Sequence, residues 1–263
     1  MKVWITPLIC LLFCLLLSAA SACAASQQSA EFARLLRQTL KNHPEIVLDL
    51  LREHSESVLD IAQQGSSLRR KKNMEQQWRE EIKKPKKVIT ANRPMLGSMN
   101  APVTVVIFSD FTCHYCRQAA EVLDRTVQAR PQDVKVIFKH MPQNKDSAAR
   151  LAAEYFVAAS FQNDRAPWQL YKIFFSDPEQ LSADAQNFAV KAAEQAGLDM
   201  KKLAGDLKTK RVSAILEEDQ ADAKKLQVEG TPYFLVNNLT VRGAVSYDIF
   251  NAAVDMALAH GKK

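Results

Sequence analysis

The sequence predicts an α/β fold that carries a helical insertion and follows an all-helical N-terminal extension. Apolar runs at residues 103–108 and 134–138 flank a helical pattern, which predicts a strand–helix–strand unit. The two strands of such a unit are expected to be parallel. Residues 145–226 show helical spacing with no strand-like run, and so do residues 31–84 before the first strand.

The first 24 residues are predicted to be a secretory signal peptide that directs the chain to the periplasm. Lys2 precedes an apolar stretch at residues 8–17, and Ala22-Cys23-Ala24 fits an A-x-A cleavage site. The apolar stretch is shorter than a membrane span requires. Two alternatives stay open. One is an uncleaved anchor, and the other is a lipoprotein at Cys23 with outer-membrane association, because residues 20–23 resemble a degenerate lipobox.

Residues 25–87 are predicted to be a helical oligomerisation region and linker. The sequence Asn42-His43-Pro44-Glu45 is typical of a helix start, and residues 65–67 are expected to break the helix that follows. Short amphipathic helices rarely persist alone in water. Their apolar stripe is therefore expected to pack on a second copy, giving a homodimer or homotrimer through residues 26–84, or else on the main domain. The stripe consists of Val47, Leu50, Leu51, His54, Val58 and Ile61, widened by Leu48 and Leu59.

The charge is concentrated in one segment. Residues 65–87 contain nine Lys or Arg and three Glu, whereas the whole chain has a net charge of +6. Nucleic acid is not an expected partner, because an exported chain with a basic run and no interleaved aromatic residues does not fit nucleic-acid binding. A solvated helix face is the simpler interpretation, and contact with anionic lipid or an acidic partner stays open. The lysines at residues 83–87 are predicted to mark a domain boundary.

Residues 88–263 are predicted to form the main domain. Residues 88–90 are a possible short strand, the helix after the first long strand is expected to end near Ala129, and residues 246–259 form a closing helix. Two asparagines between apolar runs predict a hairpin turn with positive φ. The inserted helices are expected at 147–161, 167–175, 183–196 and 201–226, and the hairpin strands at 233–236 and 239–242. Trp168, Tyr171, Phe174 and Phe175 are expected to be core residues.

Two cysteines separated by two residues follow the first long strand. Without the signal peptide, Cys113 and Cys116 are the only thiols of the chain. At a helix N-terminus, unpaired N–H groups and the helix dipole favour the Cys113 thiolate, and Cys116 lies one turn further in, where it can attack Cys113 once that sulfur is bonded elsewhere. A structural disulfide closing so short a loop would stabilise the fold little. A zinc site would need further ligands, and the five histidines show no paired spacing.

A Cys-x-x-Cys pair after a strand of an exported chain indicates a thioredoxin-like redox fold. The chain resembles the DsbA family over residues 97–260, and its helical extension resembles the Com1-like and ScsC-like members. The resemblance is carried by Ala101-Pro102-Val103, Phe108-Ser109-Asp110-Phe111, Cys113 to Cys116 and Gly230-Thr231-Pro232. It implies a cis peptide bond before Pro232, next to Cys113, with the Thr231 backbone free to pair with an extended substrate. A trans turn proline is the alternative.

The chain also departs from that family. Many relatives have a buried acid where this chain has Ile107, and Asp110 is out of phase on the strand. The pair His114-Tyr115 differs from the Pro-His pair of strongly oxidising members, whereas Tyr115 and Thr231 resemble those of disulfide isomerases. His114 either stabilises the Cys113 thiolate or is a solvent-facing residue without catalytic effect.

These observations predict an exported protein disulfide oxidoreductase or isomerase whose catalytic residues are Cys113, Cys116, His114, Tyr115, Thr231 and Pro232. Its partners would be cysteine-containing exported proteins and a redox partner that reoxidises or reduces the dithiol. Thiol–disulfide exchange needs no organic cofactor or metal. The alternative function is an oligomeric holdase or surface binding protein with a redox-inactive cysteine pair.

Overall fold

The structure, a computed structural model, describes residues 31–142 and 147–261. The chain divides into two compact units between Arg69 and Arg70. The predicted signal peptide and Cys23 lie outside the described residues and remain predictions. Within the described ranges no helix has the length and apolar character that a membrane span needs.

The first unit is helical, as predicted. It contains α1 (residues 31–42), α2 (Glu45–Glu53) and the first half of α3 (Ser55–Glu81). None of its described residues is buried. The predicted break at residues 65–67 is wrong, because α3 is continuous there. One glycine costs a helix only about 1 kcal/mol relative to alanine, and good helix formers follow it.

The second unit is built on a five-stranded mixed sheet with strand order β1-β3-β2-β4-β5. Strands β2 and β3 are parallel, as predicted, and the other neighbouring pairs are antiparallel. The possible strand at residues 88–90 is wrong, because the Ile89 N–H donates to Asp222 Oδ2 at 2.6 Å instead of joining the sheet. The strands are β1 (Met95–Gly97), β2 (Val103–Ser109), β3 (Val134–His140), β4 (Tyr233–Val236) and β5 (Leu239–Arg242).

Apolar layers cover both faces of the sheet, which explains why β2 and β3 are nearly continuous apolar runs. On one face Val105 and Ile107 pack with side chains of α4 (His114–Ala129) and α11 (Tyr247–Gly261). On the other face Val106 and Phe108 pack with Ala223 of α10 (Lys210–Lys225). The first of these layers is the one that contains Cys116.

A run of helices lies between β3 and β4, as predicted. Its described helices are α5 (Ser147–Ser160), α6 (Ala166–Ser176), α7 (Pro178–Ala183), α8 (Ala185–Gln195), α9 (Met200–Asp206) and α10. The expected single helix at 201–226 is wrong, because Thr209 is extended (φ −84°, ψ 145°) and separates α9 from α10. The four aromatic residues expected in the core are buried: Trp168, Tyr171, Phe174 and Phe175.

Two backbone positions fix the ends of the strands. Asn237 has a φ of 50° in the β4–β5 turn, which confirms the predicted hairpin, and its side-chain oxygen accepts the Thr104 N–H at 2.8 Å. Gly97 has a φ of +100°, and a Cβ at that position would lie 2.5 Å from the Val134 carbonyl oxygen. Only glycine fits this close approach of β1 to β3.

Residues 70–87 pack on the sheet domain, so the division between units lies before the boundary expected at residues 83–87. Trp78 of α3 is fully buried, and its Nε1 donates to the Thr240 carbonyl at 2.7 Å. The Thr240 N–H donates to Glu81 Oε2 at 2.7 Å, and Lys86 Nζ donates to Thr240 Oγ1 at 2.6 Å. Trp78 and Glu81 thus pair with the Thr240 carbonyl and N–H, which the edge strand β5 would otherwise expose.

Candidate functional site

A short turn after β2 places Cys113 at the start of α4. The Cys113 N–H donates to the Asp110 carbonyl at 3.2 Å. The Asp110 carboxylate accepts hydrogen bonds from the Thr112 N–H and hydroxyl, both at 2.8 Å. Cys113 itself is the N-cap residue of α4, with extended backbone angles. Asp110 therefore serves to hold the turn, which agrees with its out-of-phase position on the strand.

An aromatic cluster lies beneath this turn. Phe111 is buried and stacks on Phe138 with ring centroids 5.0 Å apart. Phe111 also contacts Phe156, Phe174 and Phe175 of the inserted helices. The insertion thus supports the cysteine-bearing turn from below, so the turn is held in one position.

The environment of Cys113 favours its thiolate. The Cys116 thiol makes the largest contribution, and together with the Cys116 N–H it lowers the pKa of Cys113 to about 5, although partial burial opposes the change. Thr231 and the N–H of Tyr115 contribute in the same direction. These N–H groups belong to the first turn of α4, where the helix dipole favours a negative charge, and the Cys116 N–H also donates to the Cys113 carbonyl at 3.0 Å.

Cys116 has the opposite environment. It is fully buried, and burial raises the pKa of its thiol well above the usual value. Its hydrogen bond to Cys113 and the nearby Cys113 charge act in the same direction. Both cysteines are free thiols in this structure. One accessible thiolate therefore lies beside one buried thiol.

The loop before β4 faces the two cysteines. The peptide bond between Thr231 and Pro232 is cis, as the family resemblance implied. Cys113 Sγ lies 3.8 Å from the Thr231 carbonyl oxygen, to which it donates only in its protonated thiol form. The structure thus brings Thr231 to Cys113 and Cys116, although more than a hundred residues separate it from them in the chain.

The two residues between the cysteines are placed differently. The His114 ring lies 3.1 Å from the Gln118 side-chain nitrogen and edge-on to the Tyr115 ring. It is not among the groups that contribute most to the low pKa of Cys113. Tyr115 is 61% exposed, so its ring is available to a substrate protein.

The sequence did not predict the buried charged residues behind the sheet. Lys139 Nζ lies 2.9 Å from Asp219 Oδ1 and 2.8 Å from Asp222 Oδ2, and Arg93 lies 2.8 Å from Asp219. Lys139 is in register with Phe108, on the face away from Ile107 and Cys116. These carboxylates are therefore no substitute for an acid at Ile107. The available signal was Lys139, a lysine near the end of a largely apolar strand.

Another buried titratable group, His140, ends β3. Its ring lies among Phe111, Phe138 and Phe156, and burial lowers its pKa to about 4. Its backbone N–H donates to Asp219 at 2.9 Å. Within the described residues, no group of three or more His, Cys, Asp or Glu side chains could hold a metal ion.

The arrangement is suited to reversible thiol–disulfide exchange. An accessible thiolate can attack a disulfide of another molecule, and a second thiol one turn away can then displace that molecule. The buried position of Cys116 leaves Cys113 as the sulfur that a large substrate can reach.

Comparisons with known proteins agree with this geometry. A family model described as thioredoxin matches residues 90–256. The catalytic domain of Proteus mirabilis ScsC is 25% identical, with a TM-score of 0.58 over 64% of this chain and 90% of that chain. The probable disulfide bond formation protein D of Bacillus anthracis is 27% identical over 175 residues, which are 62% of this chain and 77% of the relative.

A third relative is much longer than this chain. The Na(+)/H(+) antiporter NhaA 3 of Salinispora tropica is 30% identical over 168 residues, which are 63% of this chain and 25% of the antiporter. The chain therefore spans about a quarter of the length of the antiporters that it matches. The similarity to ScsC confirms the resemblance noted from the sequence. The thioredoxin match includes β2, the cysteine pair, the insertion and the cis-proline loop and extends over more than half of the sequence, so the chain belongs to the thioredoxin family.

Proposed function

We propose that this protein is an exported thiol-disulfide oxidoreductase that forms or isomerises disulfide bonds in cysteine-containing exported proteins. The observation that supports it most is the pairing of an accessible Cys113, whose pKa is lowered to about 5, with a buried Cys116 whose pKa is raised. The family membership and the similarity to a disulfide bond formation protein support the same chemistry.

The proposed reaction uses both sulfurs. The Cys113 thiolate attacks a substrate disulfide, forms a mixed disulfide and releases one substrate thiolate. Cys116 then loses its proton and attacks Cys113, and the second substrate sulfur leaves with the electron pair and takes up a proton. The substrate disulfide is reduced and the dithiol is oxidised. In the reverse direction the protein oxidises a substrate, and a separate redox partner then restores its disulfide.

Substrate binding is assigned to the surface around Cys113. Thr231 lies against Cys113, so an extended substrate segment could pair with its backbone while the substrate sulfur reaches Cys113. The exposed Tyr115 would contact the same segment. Tyr115 and Thr231 favour isomerase or mixed oxidase and isomerase activity, because the resemblance links these residue types to isomerases.

Insulin reduction and refolding of scrambled ribonuclease test this proposal. The chain beginning at residue 25 is the form to use, because Cys113 and Cys116 are then its only cysteines. We expect Cys113→Ala to abolish both activities, and Cys116→Ala to accumulate mixed disulfides that the parent resolves. A parent with no activity in either assay, or one indistinguishable from Cys113→Ala, would refute the proposal.

We also propose that the N-terminal helices join copies of this chain into a homodimer or homotrimer. Large apolar side chains of α1, α2 and the start of α3 are exposed, and contiguous exposed apolar surface usually marks an interface. Among the described residues these side chains are Phe32, Leu35, Leu36, Ile46, Val47, Leu48, Leu50, Leu51, Val58, Leu59, Ile61 and Leu68.

Light scattering of the whole exported chain tests this assembly. We expect the parent to be an oligomer and the double variant Leu36→Glu, Leu50→Glu to be a monomer, with Gln63→Glu as a surface control that keeps the oligomer. A monomeric parent would contradict the proposal. Suppression of client aggregation that survives Cys113→Ser but is lost in the double variant would favour the holdase alternative for this surface.

Export itself is proposed from the signal-peptide pattern. Mass measurement of the protein recovered from the periplasm separates the alternatives. Cleavage after Ala24 leaves a chain that begins at Ala25, whereas lipidation leaves Cys23 as a modified first residue. A chain that keeps residues 1–24 in the cytoplasm would contradict export.

A further inference from the structure

Ser109 carries a hydroxyl whose position is not explained by the fold. It is the last residue of β2 and is 1% exposed. Its backbone belongs to the pairing of β2 with β3, since its carbonyl accepts the Met141 N–H at 2.9 Å and it lies in register with His140. Its side-chain oxygen, however, is buried and has no hydrogen-bond partner. An unpaired buried hydroxyl destabilises a fold, so its presence needs a reason.

This hydroxyl lies next to Cys116, the thiol proposed to displace the substrate from Cys113. Side chains alternate along a strand, so Ser109 lies on the same face of β2 as Ile107, the face against which Cys116 packs. Side-chain hydrogen bonds from Ser109 and Thr231 to an ionised Cys116 oppose the rise in its pKa that burial causes, although the Ser109 hydroxyl makes no hydrogen bond while Cys116 is a neutral thiol. Ile107 offers no polar atom, so Ser109 is the donor that β2 presents to this sulfur.

The other groups around Cys116 differ from Ser109, because the Thr231 side chain, which also favours the Cys116 thiolate, is shared with Cys113. Cys113 accepts its hydrogen bond and disfavours a second negative charge. Tyr171 of α6 also lies near enough for a Cys116 charge to raise the pKa of its own hydroxyl, which already interacts with Asp124. Tyr171 Oη is further engaged with the Ala120 carbonyl at 3.5 Å. Ser109 is thus a donor near Cys116 that has no other partner.

We propose that the Ser109 hydroxyl is a hydrogen-bond donor reserved for the Cys116 thiolate that exists only during disulfide exchange. The inference rests on the proposed oxidoreductase function. In the resolving step Cys116 gives up its proton, its sulfur bonds to Cys113, and the bond from Cys113 to the substrate breaks with the electron pair on the substrate sulfur. In the reverse step Cys116 leaves the disulfide as a thiolate, which Ser109 receives.

This assignment explains why the hydroxyl is unpaired in the dithiol state. A neutral thiol and a disulfide sulfur are weak acceptors, whereas an ionised sulfur is a strong one. The hydrogen bond therefore forms only as charge develops on Cys116. An interaction present only in the transition state changes the rate of both directions equally and leaves the equilibrium unchanged.

Exchange with glutathione, followed by acid quench and mass spectrometry, tests the inference. The experiment separates attachment of glutathione to Cys113 from its displacement by Cys116. For Ser109→Ala we expect unchanged attachment, displacement slowed about ten-fold in both directions, and an unchanged equilibrium constant. Ser109→Thr keeps a hydroxyl and is expected to retain the parent rates.

Thr126→Ala is the matched control. Thr126 is another buried hydroxyl, but its Oγ1 already donates to the Val122 carbonyl at 2.8 Å, so its removal should lower stability and leave the exchange rates unchanged. If Ser109→Ala does not fold, Ser109→Gly replaces it. Failure of both to fold would show that the hydroxyl supports the structure and would overturn the inference.

Two kinetic results would also overturn it. One is a displacement rate for Ser109→Ala within two-fold of the parent, and the other is an equilibrium constant that changes together with the rate. The proposed function fails separately, because a parent that forms no mixed disulfide with glutathione refutes it whatever Ser109 does.

Discussion

Replacing Cys116 with alanine should raise the pKa of Cys113. The Cys116 thiol makes the largest contribution to the low pKa of Cys113, which is about 5 in the parent. A hydrogen bond to a charged group contributes about 1.5–3 kcal/mol. Cys113 is only partly buried, so solvent screening favours the lower end, which corresponds to a rise of about one pKa unit. The N–H groups of Tyr115 and residue 116 remain, so the pKa should stay below that of free cysteine.

Titration of the thiolate by its ultraviolet absorbance measures this change. In the parent we expect a single inflection near pH 5, because the thiol of Cys116 stays protonated far above that pH. The Cys116→Ala variant has one thiol, so its inflection belongs to Cys113 alone. The chain beginning at residue 25 is again the form to use.

Alkylation provides a second measurement, which distinguishes Cys113 from free cysteine best at acid pH. At about pH 5.5 a thiol of pKa about 5 is roughly three-quarters ionised, whereas free cysteine is about 0.1% ionised. The lower basicity of the Cys113 thiolate reduces its intrinsic reactivity by about 25- to 55-fold. The net advantage of Cys113 is therefore roughly 15- to 30-fold at about pH 5.5, and it nearly vanishes at about pH 7.

Two results would refute this reasoning. An inflection between about pH 8 and 9 in the parent would show that the helix N-terminus does not stabilise the Cys113 thiolate. An unchanged inflection in Cys116→Ala would show that the neighbouring thiol does not contribute. Ser66→Ala serves as a control, because Ser66 is exposed on α3, and it should leave the titration unchanged.

Three further predictions concern stability, measured by urea unfolding. Trp78→Phe removes the donor to the Thr240 carbonyl and leaves a buried acceptor unpaired, so we expect a loss of about 1–3 kcal/mol, and an unchanged midpoint would contradict it. Gly97→Ala should cost more than about 1 kcal/mol, because its Cβ would lie 2.5 Å from the Val134 carbonyl, and equal stability would be inconsistent with that contact. The pKa of His140 is lowered to about 4, so the unfolded chain binds a proton between about pH 4 and 6.5 that the folded chain does not. Stability should fall as the pH decreases through that window, by on the order of 3 kcal/mol, and His140→Phe should reduce this slope.

Local patterns in the sequence were sufficient for most elements. The strands β2, β4 and β5, the helix α4 and the hairpin turn at Asn237 follow from apolar runs, helical spacing and turn residues. The positions of Cys113 and Cys116 on the first turn of a helix also follow from spacing alone. These features depend on residues close together in the chain, and their physical causes are local.

Expectations from local patterns were wrong at four places in the structure. The continuous α3 and the split between α9 and α10 contradict expectations based on Gly65 and on residues 201–226. The segment at residues 88–90 looked like a strand, yet Asp222 takes the N–H of Ile89. Trp78 looked like part of a charged, solvated helix, yet it is buried against β5. The last two outcomes depend on partners that lie far away in the sequence, whereas the continuity of α3 and the break at Thr209 are local outcomes that the residue patterns misjudged.

The sequence by itself predicted the two candidate reacting sulfurs, the order of β2 to β5 along the chain and the helical nature of the insertion, but it missed β1. Only the tertiary structure decided which groups surround those sulfurs. It placed Thr231 against Cys113 and left the Ser109 hydroxyl unpaired beside Cys116. The physical reason is that a helix or strand forms from neighbouring residues, whereas a pKa is set by burial and by hydrogen bonds that come from any part of the folded chain.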